Sequence, residues 1–310
     1  SGASQGGRFG APRPPAIPLA PAPPAAPPPG LRLAEIDELD LRIEKLVAGG
    51  DGLGRLDGVP IFVPRTAPGD RVRVRLVERR PDYGRGEVVE LLAPGAGRRE
   101  PPCPHFADCG GCDLQHLEVG AQLRAKALAA AETLARIARI ELPRPDVIAG
   151  DPWRYRIRTQ LHTRRSGGGW EVGYYARGSR RLVPIRECRV LVPELEEAAL
   201  GLASRLGDEA PERIDLAVGD EGSVAAAPPA AGLEGGELHR TVAGFPLAYD
   251  ARCFFQGHVG LLETLVERAV GSAEGELAFD LYGGVGLFAL PLARRYRRVV
   301  TVEADRVAGR

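Results

Sequence analysis

Three closely spaced cysteines constrain this 310-residue chain more than any other feature of its sequence. Cys103, Cys109 and Cys112 form a C-x5-C-x2-C run, and Gly110 and Gly111 separate the last two. Glycine lets such a loop fold back on itself, so that three thiolates can converge on one centre. The run therefore predicts a metal site.

A fourth ligand is expected, and the chain has five cysteines in all, so two candidates are left. Cys188 follows a strand-like segment and is the fourth ligand that we predict. Cys253 has no neighbouring base in the sequence, which predicts a small buried hydrophobic residue. Zinc ligation by His105 or His116, which flank the run, is the alternative.

The length favours two or three domains, because single domains mostly contain about 100–200 residues. An odd number of cysteines, no apolar segment at the start and no apolar run near 18 residues argue against secretion, disulfides and membrane insertion. These features predict a cytoplasmic protein that does not enter a membrane.

The formal net charge is zero, which does not by itself suggest a polyanionic partner. Arginines are nevertheless clustered along the chain, at Arg71, Arg73, Arg75, Arg79 and Arg80, at Arg154, Arg156 and Arg158, and at Arg177, Arg180 and Arg181. Such stripes can follow the phosphates of a nucleic acid, or they can be the solvated faces of strands. Spacing alone leaves both possibilities open.

The composition divides the chain into four segments. Residues 1–34 are mostly proline, alanine and glycine, which predicts a disordered tail. Residues 35–97 contain short alternating segments separated by glycine-rich turns, which predict a small OB-like antiparallel barrel. Residues 98–250 combine the cysteines with a helix over Leu117–Ile140 and strand-like runs, which predicts a central α+β domain.

The last segment, residues 251–310, has the pattern of a βαβ unit. An apolar strand ends in the turn Asp280-Leu-Tyr-Gly-Gly-Val-Gly286, and a second strand ends at Glu303. Glycines such as Gly284 let the backbone approach a ligand, and an acid about 20 residues further on can bind ribose hydroxyls. The pattern predicts the start of an α/β Rossmann-like domain, and the missing G-x-G-x-x-G spacing favours S-adenosylmethionine over a dinucleotide.

Together the TRAM-like barrel, the cysteine run, the Phe254-Phe255-Gln256 motif and the glycine turn resemble the RNA (uracil-5-)-methyltransferases. The most similar branch has an N-terminal TRAM domain and a [4Fe–4S] cluster and methylates a uridine of 23S ribosomal RNA. The resemblance implies a multidomain enzyme that acts as a monomer on a loop or single-stranded uridine of RNA. It covers roughly residues 35–310.

The resemblance also implies the roles of individual residues. It assigns the cluster to Cys103, Cys109, Cys112 and Cys188. The predicted contacts to S-adenosylmethionine are Gln256, Asp280, Tyr282, Gly284, Gly286 and Glu303.

Several positions depart from the family pattern. His258 stands where the family usually has Asn, Gly283 where it often has Cys, and Leu287 where Asn or Thr is common. The Asp-Pro-Pro-Arg motif, the nucleophilic cysteine and the general base of the family do not occur before Arg310. We therefore expect no catalytic residue within the chain and a C-terminally incomplete methyltransferase domain.

Two other functions are alternatives. The chain could be a non-catalytic RNA-binding iron–sulfur protein. A radical S-adenosylmethionine enzyme is the second alternative, but such enzymes use C-x3-C-x2-C and leave one iron open, whereas four thiols would close this site.

Overall fold

The computed structural model of the chain describes residues 33–140 and 145–309. The chain divides into two units, one containing the residues before 99 together with Gly120–Val147, the other containing Arg99–Val119 and the residues from Ile148 onward. The predicted tail, up to residue 32, lies outside the described residues, whereas Leu33 is buried in the core of the first unit. No helix in the two described ranges is long and apolar enough to cross a bilayer.

The first unit is built on a six-stranded sheet. Its strands are β1 (Glu38–Arg42), β2 (Lys45–Leu46), β3 (Gly52–Leu56), β4 (Val59–Val63), β5 (Arg71–Arg79) and β6 (Gly84–Ala93). They pair in the order β1-β5-β6-β4-β3-β2. In β5 the alternate residues Val72, Val74 and Leu76 are buried, so the period-two pattern does mark the face that packs into the core.

Strands β1 and β2 lie at opposite edges of this sheet, where β1 pairs with β5 and β2 pairs with β3. Because β2 follows β1 directly in the chain, the two edges come together. Gly54 permits the close approach, since a Cβ there would lie 2.5 Å from the carbonyl oxygen of Arg42. The prediction of a wholly antiparallel barrel is wrong in one pairing: β4 and β6 are parallel. The chain reverses direction once before β5 and once after it, so β4 and β6 run in the same direction.

A helix, α1 (Val119–Thr133), continues into a π-helical turn over Leu134–Ala138. The sequence predicted this helix but assigned it to the central domain, whereas most of it groups with the barrel. Its anchor is an ion pair in which Lys45 Nζ lies 2.7 Å from both carboxylate oxygens of Glu132.

The second unit contains a five-stranded antiparallel sheet. Its strands are β7 (Arg158–Ser166), β8 (Gly169–Tyr175), β9 (Leu182–Pro184), β10 (Arg213–Val218) and β11 (Val224–Ala227), in the order β11-β10-β7-β8-β9. Helix α2 (Pro193–Arg205) buries Leu195, Ala199 and Leu202, which share one helical face, in the core of this unit.

The remaining elements include the hairpin of β12 (Glu237–Val242) with β13 (Phe245–Asp250), then α3 (Leu262–Val270), β14 (Gly275–Leu281), α4 (Ala289–Leu292) and β15 (Tyr296–Val302). Strands β14 and β15 are parallel, as the predicted βαβ unit requires. Phe255, Leu262 and Leu287 are buried in the same hydrophobic core as the central sheet. The boundary predicted at residue 250 therefore does not separate two cores.

Candidate functional site

Four cysteines line a single pocket in the second unit. Cys103, Cys109 and Cys112 come from the loop before α1, and Cys188 comes from the loop between β9 and α2. None of the four is in a disulfide. The fifth cysteine, Cys253, is 1% exposed and does not line the pocket. The structure thus brings together the four residues that the sequence selected.

The end of β8 holds the loop that carries Cys109. The Gly110 N–H donates to the carbonyl oxygen of Tyr175 at 2.9 Å, and Cys109 forms an isolated bridge with Ala176. A Cβ at Gly110 would lie 2.7 Å from that same oxygen, so glycine is required there. The Gly111 N–H donates to Cys109 Sγ at 3.3 Å.

Cys188 is oriented by α2 and β8. Its backbone N–H donates to Glu196 Oε1 at 2.6 Å, and the Tyr174 hydroxyl lies 3.9 Å from Cys188 Sγ. Burial raises the pKa of Cys188 to about 11 and also raises the pKa of Cys103. Burial therefore favours the protonated form of both thiols near neutral pH.

The donor groups around the pocket bear on which metal centre it could hold. Within residues 33–140 and 145–309, no three His, Cys, Asp or Glu side chains are grouped closely enough to hold one metal ion. His105 Nε2 accepts the Arg186 backbone N–H at 3.0 Å, and the buried His116 ring packs on Phe106, so neither supports the zinc alternative. Four cysteine thiols lining one pocket are the donor set that iron–sulfur clusters use.

The predicted glycine turn lies at the carboxyl end of β14. Tyr282, Gly284 and Gly286 have φ angles of +61°, +55° and +87°, a region that glycine adopts without strain. The Gly283 N–H donates to the Val302 carbonyl oxygen at 3.1 Å, which ties the turn to β15. Tyr282, a non-glycine residue in this region, is 92% exposed. Its backbone strain presents an aromatic ring to solvent at the edge where open parallel sheets bind ligands.

Glu303 closes the other side of this turn. It follows β15, and its Oε2 accepts the Gly284 N–H at 2.8 Å while its Oε1 accepts the Asp305 N–H at 2.6 Å. The donors at Asp305 and Gly284 lower the pKa of Glu303. An ionised acceptor thus stands beside the turn, as the binding of ribose hydroxyls requires.

Asp280 lies beneath the turn. It is 7% exposed, and its Oδ2 is 3.2 Å from the point where a Cβ of Gly283 would stand. Burial raises the pKa of Asp280, against an opposing backbone hydrogen bond from Ala289 at the start of α4. Its Oδ2 has no hydrogen-bond partner among the described residues. This position supports the turn and the start of α4.

Gln256 is half-buried in the segment that joins β13 to α3. Its neighbour Phe255 is buried and stacks on Tyr249, with ring centroids 4.6 Å apart. Phe254 is 66% exposed, and the Arg158 guanidinium lies 5.9 Å from the centre of its ring. Phe255 therefore fixes the segment, while Phe254 and Gln256 reach the surface.

Two departures from the family pattern have structural explanations. His258 stacks on Tyr155 at 4.5 Å, and its Nε2 lies 3.1 Å from the carbonyl oxygen of Asp151. Leu287 is 7% exposed and belongs to the core, so an apolar side chain suits this position.

Comparison with known proteins agrees with this geometry. The family model described as "TRAM domain" matches residues 34–89. The 23S rRNA (uracil(1939)-C(5))-methyltransferase RlmD of Pectobacterium atrosepticum is 33% identical over 306 residues, which cover 86% of this chain and 68% of that protein. The chain belongs to the RlmD family of 23S rRNA (uracil-C5)-methyltransferases.

Other members of the RlmD family match as well. The enzyme of Bordetella parapertussis is 31% identical over 313 residues, covering 86% of this chain and 67% of its own length. A solved structure with a similar fold is the Pyrococcus abyssi tRNA (uracil-54, C5)-methyltransferase in complex with S-adenosyl-L-homocysteine. Its TM-score is 0.62 at 21% identity, over 86% of this chain and 74% of that one.

The arginine stripes of this RlmD-family chain are mostly internally paired. On the barrel, Arg73 pairs with Asp40 and Glu90, and Arg75 pairs with Glu38. Further ion pairs are Arg79–Asp37, Arg80–Glu78, Arg177–Asp113 and Arg181–Asp108. The interpretation as a solvated, ion-paired face therefore holds for these residues.

Sequence reasoning missed several polar residues that line the cysteine pocket, among them Glu187 and Arg189. Others are Gln115, Arg156 and Tyr174. Gln115 is 7% exposed, and its Oε1 has no hydrogen-bond partner among the described residues. Gln115 could have been predicted as a pocket residue because it lies three residues after Cys112. Arg156 and Tyr174 could not, because they come from distant parts of the chain.

Proposed function

We propose that this chain binds S-adenosylmethionine at the glycine turn of residues 280–286 and takes part in C5-methylation of a uridine in 23S ribosomal RNA. The observation that carries the proposal is the carboxylate of Glu303 beside Gly284, at the carboxyl ends of two parallel strands, in a member of the RlmD family. The Pyrococcus abyssi enzyme, which shares the fold, was solved with S-adenosylhomocysteine.

The chain's own residues would each contribute to cofactor binding. Glu303 would accept hydrogen bonds from the ribose hydroxyls, and the turn at Gly284 and Gly286 would let the cofactor approach the backbone. The exposed ring of Tyr282 and the side chain of Gln256 would complete the contacts. The bound cofactor supplies an electrophilic methyl group. Asp280, which is buried, would stabilise the conformation of the turn.

We further propose that Cys103, Cys109, Cys112 and Cys188 bind a [4Fe–4S] cluster. The four thiols share one pocket, and four cysteines are the donor set of such clusters. Ligation by four cysteines leaves no open iron, which argues against reductive cleavage of S-adenosylmethionine by the cluster. The cluster would stabilise the loop around Cys109, and free thiols are consistent with a reducing cytoplasm.

The RNA partner follows from the TRAM domain and from the chemistry. A uracil in a duplex is stacked, so its C6 and C5 become accessible only when the base leaves the stack. We propose a loop or single-stranded uridine as the target. The exposed Phe254, with Arg158 beside it, is suited to contact an unstacked base.

One observation favours a non-catalytic RNA-binding protein as the second candidate. Methylation at C5 requires a thiolate that attacks C6. Cys253, the one cysteine outside the pocket, is buried, and its pKa is raised by burial. None of the five cysteines, all of which lie within the described ranges, is therefore presented as an attacking thiolate.

Deletion of the encoding gene distinguishes the two candidates. If the protein is a methyltransferase, mass spectrometry of 23S ribosomal RNA from the deletion strain should show the loss of one 5-methyluridine. Restoring the gene should restore the modification. An unchanged set of 5-methyluridines would favour the non-catalytic protein, and binding of the RNA by the purified protein would then support it.

A further inference from the structure

The short segment of residues 154–157, directly before β7, connects the cysteine pocket with the segment that carries Gln256. On one side, Arg156 N–H donates to the Val190 carbonyl oxygen at 2.8 Å, and Val192 N–H donates to the Arg156 carbonyl oxygen at 3.0 Å. These bonds fix residues 189–192, which directly follow Cys188. Backbone hydrogen bonds therefore join the cysteine loop to the segment 154–157.

On its other side the same segment binds the residues that follow Gln256. Ile157 N–H donates to the Gly257 carbonyl oxygen at 3.1 Å, and Val259 N–H donates to the Tyr155 carbonyl oxygen at 2.9 Å. The stacking of Tyr155 on His258 adds a side-chain contact to these bonds. The position of Gln256 thus depends on the placement of residues 154–157.

Arg156 is the residue at which both connections meet. It forms one isolated bridge with Leu191 and another with His258. Its side chain lines the pocket together with the four cysteines and is half-buried. A guanidinium is always cationic, so the pocket contains a fixed positive charge next to four groups that become anionic when they bind iron.

We propose that Arg156 is a positioning residue that couples the state of the cysteine pocket to the Phe254–Gln256 segment. The inference rests on the proposed cluster. Four thiolates around a [4Fe–4S] core carry a net negative charge, which attracts the guanidinium and holds residues 154–157 in place. Through the bonds at Ile157 and Val259, the same placement fixes the backbone that follows Gln256. The iron–sulfur site therefore supports the cofactor site through this strand.

The coupling can be measured by hydrogen–deuterium exchange on the whole protein, with and without the cluster. In the wild type, removal of iron by a chelator should speed exchange in residues 254–262 by roughly fivefold or more, the lower end of typical coupling between sites. Residues 38–93 of the barrel and strand β10 report on global unfolding and should keep their protection. Unchanged exchange in 254–262, or an equal loss in β10, would overturn the proposal.

Variants identify the residue that carries the coupling. Arg156→Gln loaded with iron should show the faster exchange in 254–262, and its cluster should have a more negative reduction potential, because a cation stabilises the more highly charged reduced state. Arg156→Lys should restore the potential in part. The matched control is Arg164→Gln, which removes an exposed arginine of β7 that pairs with Glu171 of β8, and it should change neither value.

The outcomes separate this inference from the proposed function. If iron-loaded Arg156→Gln keeps the wild-type exchange and potential, Arg156 does not couple the sites, and the proposed cluster is unaffected. If Arg156→Gln cannot be loaded, the comparison of the wild type with and without iron decides, and unchanged exchange in residues 254–262 would overturn the proposal. If the wild type takes up no iron and sulfide, the proposed cluster itself is wrong, and the inference with it.

Discussion

At the residue scale, the glycine turn depends on the fit between Gly283 and Thr301. A Cβ at Gly283 would lie 2.1 Å from Thr301 Oγ1, which is too close for any pair of heavy atoms that are not bonded. The family often has cysteine at this position. The pairing of glycine with Thr301 therefore explains why this chain departs from that pattern.

Replacement of Gly283 tests this pairing. Gly283→Ala should lower the free energy of unfolding by about 1–3 kcal/mol, the usual cost of overpacking. Thr301→Ala removes the clashing oxygen, so the double variant should recover most of the loss, as denaturant unfolding can measure. Additive losses in the double variant would contradict the clash.

The ionisation of Glu303 gives a second prediction at this scale. Its pKa is lowered by the N–H groups of Asp305 and Gly284, so the carboxylate stays charged below the usual range for glutamate. Its contribution to stability is present above the unfolded-state pKa and is lost as the pH falls through the lowered folded-state value.

The affinity for S-adenosylhomocysteine should therefore be constant between pH 8 and about 5. Glu303→Gln should bind more weakly across this whole range. Calorimetric titrations at several pH values check both statements, with Glu303→Gln as the reference without a titrating carboxyl group. A wild-type affinity that declines steadily from pH 7 to 5, with no such decline in Glu303→Gln, would show that the carboxylate is not stabilised in this way.

At the scale of the elements, the loop that carries Cys109 and the loop that carries Cys188 should depend on the same metal. Cys188→Ala removes one of the four proposed cluster ligands, so the protein should lose the brown absorbance and most of its iron. Cys253→Ala, a cysteine outside the pocket, should keep both. Iron analysis and visible absorbance provide the measurement, and wild-type iron in Cys188→Ala would exclude Cys188 as a ligand.

Local patterns in the sequence predicted several elements correctly. Alternation revealed the buried face of β5, and the glycine turn revealed the parallel pair β14 and β15, because both signals are contained within a few neighbouring residues. The choice of Cys188 over Cys253 as a ligand rested on context and stays a prediction, and Cys188 lines the pocket whereas Cys253 does not.

Long-range contacts could not be predicted in the same way. The sequence placed α1 in the central domain, whereas an ion pair between Lys45 and Glu132, 87 residues apart, anchors it to the barrel. The parallel pairing of β4 with β6 and the presence of Arg156 in the cysteine pocket likewise depend on where distant segments meet.

At the scale of the whole molecule, positive and negative charges are balanced. The formal net charge is zero, and many exposed arginines of the barrel form ion pairs with neighbouring acids. Exposed arginines such as Arg180 and aromatic side chains such as Phe254 are then the more suitable RNA contacts. A monomeric state and a cytoplasmic location remain predictions.

The central claim is that the turn at residues 280–286 and Glu303 form the cofactor site. Calorimetric titration of the protein with S-adenosylhomocysteine tests it most directly. Glu303→Ala should weaken binding by about 10- to 100-fold, the value of a hydrogen bond to a charged group. Glu276→Ala, which removes an exposed glutamate paired with Arg297 at the opposite end of β14, should bind as the wild type does. Equal affinities of Glu303→Ala and the wild type would contradict the claim.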